Sequence, residues 1–363
     1  MLYLDYQATT PLAPEARAAM LPWLAAAGEG DGFANPASNY RAGRAAAAAI
    51  EVARDAVAAL LPPGGRVYFT SGATEAINWA LFAAQRHYQC PVAAGATEHA
   101  ATIQCVDKLQ GIYWPVDGEG ALPVPHDIPP RVLAATMLVN NEIGTIHPVT
   151  ALAAAVHNAG GLLLCDAVQG FGRMVIPQGP DLIAVSAHKI HGPKGIGALW
   201  VRVGVHLPPL LFGGAQEEGM RSGTVSPALV AGFGAAARLA ADRMESDARH
   251  AEQLWALATD RLTGWHINGP SDPLSRYHGN LNVRRDGLNG ARLMSDARDI
   301  AFSLGSACGS GSGRVSHVLR AIGLSESEAR SSIRLGWGRY TTESELTAAL
   351  DGIIAAARLQ GVA

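Results

Sequence analysis

The chain has 363 residues, of which 48% are hydrophobic, and its formal net charge is −3 at pH 7. That length predicts two domains with a sizeable buried interior. The small negative charge argues against nucleic acid or an anionic membrane as the main partner. Apolar runs such as Ala45–Ile50 are far shorter than the roughly 20 residues that a membrane span needs. Because no basic and apolar leader follows Met1, we expect a cytoplasmic protein.

Lysine is scarce in this chain, which narrows the search for a reactive amine. Only Lys108, Lys189 and Lys194 occur, so all the other residues among the 28 lysines and arginines are arginines. An amine that must lose its proton for chemistry cannot be replaced by arginine, whose guanidinium stays charged. Lys108 is expected on a solvated helix face, whereas Lys189 and Lys194 share one glycine-flanked loop.

Strand and helix patterns alternate along the first part of the chain. The alanine-rich run Arg41–Leu61 predicts a helix, and Val67–Thr70 predicts a strand followed by a helix to about Ala84. Five further apolar strands are predicted at residues 91–94, 132–139, 161–165, 181–185 and 197–201. This alternation indicates an α/β domain with a largely parallel sheet.

The pattern changes after about Val225, where a long helix is expected to lead into a second domain of mixed α and β type. Strands are predicted there at residues 280–283 and 300–303. We expect an N-terminal segment over residues 1–14 that packs on the smaller domain. The large domain then covers residues 15–245, and the C-terminal domain covers residues 246–363.

Polar residues follow several of the predicted strands, at the sheet edge where open α/β sheets bind ligands. The turn Ser71–Thr74 stands at a helix start and suits either a phosphate or an ordinary helix cap. Asp166 directly follows an apolar strand, where an acid needs a partner. A protonated ring nitrogen would be such a partner, and an N-cap or a structural salt bridge is the alternative.

The segment Ser186–Gly195 carries the strongest signal for chemistry. Lys189 follows an apolar strand, so burial is expected to lower its pKa and to suit it for a Schiff base. Ser186 and His188 can donate to a phosphate. Lys194 is the alternative amine.

The four cysteines show no metal-like or disulfide-like spacing, so each thiol is interpreted separately. Cys308 lies in a run with many glycines, which predicts an accessible thiol. Cys165 is expected in the core, Cys105 on a helix, and Cys90 in a turn that leaves it exposed.

Together these segments resemble the cysteine desulfurases of the class V aminotransferase family, which are pyridoxal-phosphate enzymes of fold type I. The resemblance implies a large domain with a mostly parallel seven-stranded sheet and a smaller α+β C-terminal domain. Its motifs run in family order through nearly the whole chain: Leu4–Pro11, Asn35–Ser38, Thr70–Glu75, Thr97–His99, Val139–Gly144, Asp166–Gln169, the Lys189 loop, Met220–Thr224, Gly305–Cys308 and Ser331–Arg334.

The resemblance also implies a role for each matching residue. Lys189 would hold the cofactor as an imine, Asp166 would pair with its ring nitrogen, and His99 would stack on the ring. Thr224 would reach the phosphate of a neighbouring subunit, which implies a homodimer. The other implied contacts are phosphate binding by Ala73, Thr74, Ser186 and His188, ring-oxygen binding by Gln169, cofactor and substrate binding by Asn141, and substrate-carboxylate binding by Arg334.

The reaction implied by the resemblance removes sulfur from L-cysteine. Lys189 would take the α-proton, the Cys308 thiolate would attack the substrate sulfur, and alanine would leave a persulfide on Cys308. The resemblance does not identify the sulfur-acceptor protein. It could belong to iron–sulfur assembly, tRNA thiolation, molybdenum-cofactor sulfuration or DNA modification. Relatives that feed iron–sulfur scaffolds usually carry a longer segment after the reactive cysteine. The alternatives are a selenocysteine lyase, a sulfinate desulfinase or another class V activity, and a catalytically idle scaffold.

Overall fold

The computed structural model describes residues 1–304 and 315–362. Its strands are β1 (Leu2–Tyr3), β2 (Gly65–Thr70), β3 (Val92–Gly95), β4 (Ile112–Trp114), β5 (Leu133–Met137), β6 (Leu162–Asp166), β7 (Leu182–Ser186), β8 (Gly197–Arg202), β9 (His266–Asn268), β10 (Asn280–Arg284), β11 (Ile300–Ala301) and β12 (Ser332–Gly336). Its helices are α1 (Pro14–Met20), α2 (Arg41–Ala58), α3 (Ala73–Tyr88), α4 (Ala100–Lys108), α5 (Val149–Asn158), α6 (Pro227–Arg261), α7 (Gly290–Asp296), α8 (His317–Ala321), α9 (Glu326–Arg330) and α10 (Glu343–Arg358).

A seven-stranded sheet with the order β2-β8-β7-β6-β5-β3-β4 forms the centre of the large domain. Strand β8 is antiparallel to both of its neighbours, and the other pairs are parallel. The mostly parallel sheet expected from the sequence is therefore confirmed. Strands β2, β3, β5, β6 and β7 all end at one edge of the sheet, and the loops that follow them meet there.

The strands of this sheet are buried on both faces, which explains why they read as continuous apolar runs. In β7, Ile183 and Val185 pack into one hydrophobic cluster, whereas Leu182 and Ala184 pack into the cluster on the opposite face. The short edge strand β4 was not predicted. It has three residues, two of them exposed, so its sequence carries little apolar signal.

A second, smaller sheet with the order β12-β10-β9 has its own hydrophobic core. The predicted strand at 280–283 is confirmed. The strand predicted at 300–303 is shorter in the structure, because β11 pairs with β1 over only two residues. Ser303 instead forms an isolated bridge with Arg334.

Helix α6 contributes to both cores. Phe233 and Ala240 belong to the core of the large sheet, whereas Leu254 and Ala258 belong to the core of the small sheet. The predicted boundary between residues 245 and 246 lies inside this helix and stays a prediction. The same holds for the N-terminal segment over residues 1–14, in which Leu4 packs in the smaller core and Ala13 in the larger.

The expectations for the cysteines hold in two cases and fail in one. Cys165 lies in the core and Cys105 lies on α4, as expected. The expected exposure of Cys90 is wrong, because its residue is only 7% exposed. The reason is that its side chain packs in the hydrophobic cluster on one face of the large sheet, to which Leu133 of the neighbouring strand β5 also belongs. Among the described residues, no helix is both long enough and apolar enough to cross a bilayer.

The outer edge of β2 is closed by a buried ion pair. Arg54 contacts Glu217 through both terminal nitrogens, at 2.6 and 2.8 Å. Glu217 also accepts from the Phe69 backbone N–H at 2.7 Å, and Arg54 donates to the Val67 carbonyl at 2.9 Å. The pair therefore satisfies backbone groups that an edge strand would otherwise leave unpaired.

We expect Glu217→Gln to lower the free energy of unfolding by about 3 kcal/mol, because it leaves a buried guanidinium with too little negative charge. The neighbouring Glu218→Gln is the matched control. Glu218 pairs with Arg66 at the surface, with a side chain that is 56% exposed, and shares the positive φ of Glu217. Urea unfolding curves of the two variants test this. Equal costs for both substitutions would contradict it.

Candidate active site

A cavity of 850 Å³ opens at the sheet edge where the parallel strands end. Its walls come from the loops after β2, β3, β5, β6 and β7, from residues 7–9, from residues 315–317 and from β12. It brings together most of the predicted site residues: Ala73, Thr74, His99, Asn141, Asp166, Gln169, Ser186, His188, Lys189 and Arg334. Thr224 is exposed and does not line this cavity. Cys308 lies outside the described residues.

Lys189 stands on a short 3₁₀ turn directly after β7, and its amine is held by the N-terminal segment. The Nζ atom donates to the Ala8 carbonyl at 2.9 Å and also to the Gln7 carbonyl. Burial, together with the positive charges of Arg173 and Arg334, lowers the pKa of Lys189 to about 7. A large fraction of the amine is therefore unprotonated near neutral pH. With both N–H groups donated to carbonyls, its lone pair is free to act as a base or nucleophile.

Arg173 was not predicted, yet it links two predicted residues. It donates to the Gln169 Oε1 at 2.7 Å and to the Lys189 carbonyl at 2.7 Å. The Gln169 Nε2 donates to the Gln7 carbonyl at 3.0 Å. These contacts fix the orientation of the Gln169 amide, so that its second N–H remains available as a donor.

Two further residues of the cavity are the buried acid Asp166 and the imidazole of His99. Asp166 ends β6, is 8% exposed, and accepts from the Val168 N–H at 3.0 Å. Burial raises the pKa of Asp166, and the interaction with His99, the hydrogen bond from Val168 and the Lys189 amine oppose that rise. The His99 Nδ1 accepts from the Ala101 N–H at 3.1 Å at the start of α4. Burial lowers the pKa of His99, so its ring is neutral with the proton on Nε2.

The start of α3 also lines the cavity. Among the described residues no side chain caps this helix, so the backbone N–H groups of its first turn are available to an anion. Thr74, Ser186 and His188 line the same cavity. Burial and the charge of Lys189 lower the pKa of His188 to about 4, so it acts here as a neutral donor or acceptor.

Arg334 lies on β12 and is 1% exposed. Its guanidinium donates to the Asn141 carbonyl at 3.1 Å and forms an ion pair with Asp5 at 2.8 Å. Asp5 was not predicted as a site residue. The only sequence signal for it is its place in the Leu4–Pro11 motif.

Glu98 is a further buried acid that the sequence reading missed. Its Oε1 accepts from the Met137 N–H at 2.8 Å, and burial raises its pKa well above the usual range. The nearby charge of Asp166 also raises the pKa of Glu98, because two neighbouring carboxylates disfavour each other's charged form. The sequence signal that could have identified Glu98 as a site residue is its position next to His99 in the Thr97–His99 motif.

Comparisons with known proteins show what the chain is similar to. Residues 2–348 match the family model described as aminotransferase class-V. The chain is 38% identical to the cysteine desulfurase IscS of Rickettsia akari (strain Hartford), over 96% of this chain and 89% of that protein. A solved NifS-like protein superposes with a TM-score of 0.88 at 29% identity, covering 99% of each chain. The structure of SspA in complex with cysteine superposes with a TM-score of 0.80 at 29% identity, covering 94% of this chain and 100% of that one.

We expect Arg173→Met to raise the pKa of Lys189 by about one pH unit, because it removes a nearby positive charge. Substituting Lys108 and Lys194 by arginine leaves Lys189 as the single lysine. Its ¹³Cε resonance in lysine-labelled protein, stripped of bound aldehydes with hydroxylamine, then reports this one titration.

The matched control for that titration is Arg339→Met. Arg339 is a buried arginine that lines a small neighbouring cavity with Lys189, but Asp247 pairs with it at 2.7 Å. Its removal is expected to leave the Lys189 titration unchanged. A Lys189 pKa that stays near 7 in Arg173→Met would refute the assignment.

Proposed function

Because the chain belongs to the class V aminotransferase family, we propose that it is a pyridoxal-phosphate-dependent cysteine desulfurase. It would convert L-cysteine to L-alanine and pass the sulfur to an acceptor. The observation that carries this proposal is the Lys189 amine with its lowered pKa, placed in one cavity with the buried Asp166 and Arg334.

The residues of the cavity fit pyridoxal phosphate. Lys189 would hold its aldehyde carbon, Asp166 its ring nitrogen and His99 its ring face, while the second amide hydrogen of Gln169 would meet the ring oxygen. The uncapped start of α3, a helix of 16 residues, suits the phosphate. The phosphate would also meet Ala73, Thr74, Ser186 and His188. When bound, the cofactor supplies an electron sink for negative charge at the substrate α-carbon.

Lys189 would serve as the base that takes the α-proton. A base works best when its pKa lies near the working pH, and the Lys189 pKa of about 7 meets that condition. The Gln7 and Ala8 carbonyls hold the amine in place and orient its lone pair. Neutral His99 adds no charge of its own beside Asp166.

Arg334 and Asn141 would bind the substrate carboxylate. The planar guanidinium matches a carboxylate with paired N–H donors, and its burial keeps competing water away. Asn141 lines the cavity next to it. The same contact would hold the α-carbon of an amino acid within the cavity that Lys189 lines.

Cys308 would accept the sulfur. The described residues nearest to it on the C-terminal side, Val315–His317, line the cavity. The Cys308 thiolate would form an S–S bond to the substrate sulfur, the C–S bond would break, and the β-carbon would keep the electron pair and gain a proton. Alanine and a Cys308 persulfide result. The acceptor protein is left open.

We also propose a homodimer in the cytoplasm. Thr224 is exposed and lies away from the cavity of its own chain, which supports a contact to a neighbouring subunit. The Arg221–Glu75 ion pair at 2.8 Å attaches this loop to the first turn of α3.

Borohydride reduction of the purified protein should attach a pyridoxyl group to Lys189, detectable by peptide mass spectrometry. Lys189→Arg should lose this label and lower alanine formation by at least about 10²-fold, since arginine cannot give up its proton. Lys194→Arg alters the other lysine of the same cavity and should keep the label. A pyridoxyl label on Lys194 of the wild-type protein would show that Lys189 is not the amine that binds the cofactor.

Cys308→Ser should abolish persulfide formation and lower alanine formation by about 10²-fold or more, while the cofactor absorbance is retained. Cys90→Ala is the control, because that thiol is buried away from the cavity. Persulfide is measured by alkylation and mass spectrometry after incubation with L-cysteine. Wild-type sulfur release by Cys308→Ser would exclude this thiol from the reaction.

A further inference from the structure

The Arg334 guanidinium is held in a closed triangle of hydrogen bonds. Its Nη2 donates to the Asp5 Oδ1 at 2.8 Å and to the Ser303 Oγ at 3.0 Å. The Ser303 hydroxyl in turn donates to the same Asp5 oxygen at 2.9 Å. Both hydrogens of Nη2 are therefore in use before any substrate arrives.

The remaining donors of Arg334 cannot bind a carboxylate in the paired mode by themselves. Nη1 donates to the Asn141 carbonyl at 3.1 Å, and the buried Nε has no hydrogen-bond partner among the described residues. Two neighbouring N–H groups bind a carboxylate as a fork, and each fork of a guanidinium includes Nη2. A substrate carboxylate must therefore take over an Nη2 hydrogen.

We propose that Asp5 is the resting counter-ion of Arg334, and that the carboxylate of the incoming amino acid replaces Asp5 on Nη2. This inference rests on the proposed function, in which Arg334 binds that carboxylate. The exchange substitutes one carboxylate for another, so the buried guanidinium is never left without an anion.

The different exposure of Arg334 and Asp5 favours the release of Asp5 from Arg334 when a substrate carboxylate binds. The Arg334 side chain is 1% exposed, whereas the Asp5 side chain is 18% exposed. Asp5 can therefore gain water when it is released, but Arg334 cannot. A neutral ligand such as an amide brings no charge to compensate the lost ion pair, so the exchange selects for a free carboxylate.

Asp5→Asn tests the proposal, because it removes the negative charge and keeps an oxygen that accepts from Arg334 and Ser303. We expect propionate to bind the purified holoenzyme about tenfold more tightly in Asp5→Asn than in wild type, since it no longer competes with an anion. The KM for L-cysteine should fall by a similar factor. The affinity for propionamide should not change. Isothermal titration calorimetry measures the affinities of wild type and variant for propionate and for propionamide.

Ser303→Ala is the matched control, because it removes a neutral member of the triangle. Its effect on propionate affinity should stay below about threefold. If Asp5→Asn does not fold, Asp5→Ser offers a smaller neutral acceptor and should act in the same direction. Propionate binding that is unchanged or weaker in the folded variant would overturn the proposal and assign Asp5 to orienting Arg334.

Propionate binding needs no turnover, so this result is separable from the proposed function. A chain that forms no alanine from L-cysteine would refute the desulfurase proposal and leave the Asp5 measurement valid. Propionate binding that is insensitive to Arg334→Lys would place the ligand elsewhere and overturn the exchange itself.

Discussion

The site depends on one interaction, the contact between the Lys189 amine and the carbonyls of Gln7 and Ala8. These carbonyls are main-chain groups, so they hold the amine without adding a formal charge that would stabilise its protonated form. Burial and neighbouring guanidinium groups can then lower the Lys189 pKa to about 7. The N-terminal segment therefore contributes directly to the chemistry.

The same segment also contacts two other residues of the cavity, Arg334 and His188. Asp5 pairs with Arg334, and Thr9 lies 3.1 Å from the ring of His188. A short stretch of chain thus joins the candidate base, the candidate carboxylate-binding group and one of the candidate phosphate-binding residues. The positions of these groups relative to one another depend on a few backbone torsions of residues 5–9.

The sequence predicted those parts of the fold and the site that leave a local signal. Lys189 and Asp166 follow apolar strands, so their burial and their place at the sheet edge could both be inferred. The contact between Asp5 and Arg334 joins residues 329 positions apart. Arg173 acts through a main-chain carbonyl and an amide, which no residue pattern reveals among so many arginines. The error at Cys90 has a similar cause, because the cover over a turn comes from the neighbouring strand β5.

Helix α6 has a consequence for how the protein unfolds. Its 35 residues span about 50 Å, and its two halves supply side chains to separate hydrophobic cores. If one core unfolds, the half of α6 that packed in it exposes its apolar side chains, while the other half stays packed in the intact core. The two regions are therefore expected to lose structure in one cooperative step, with no stable half-folded species between them.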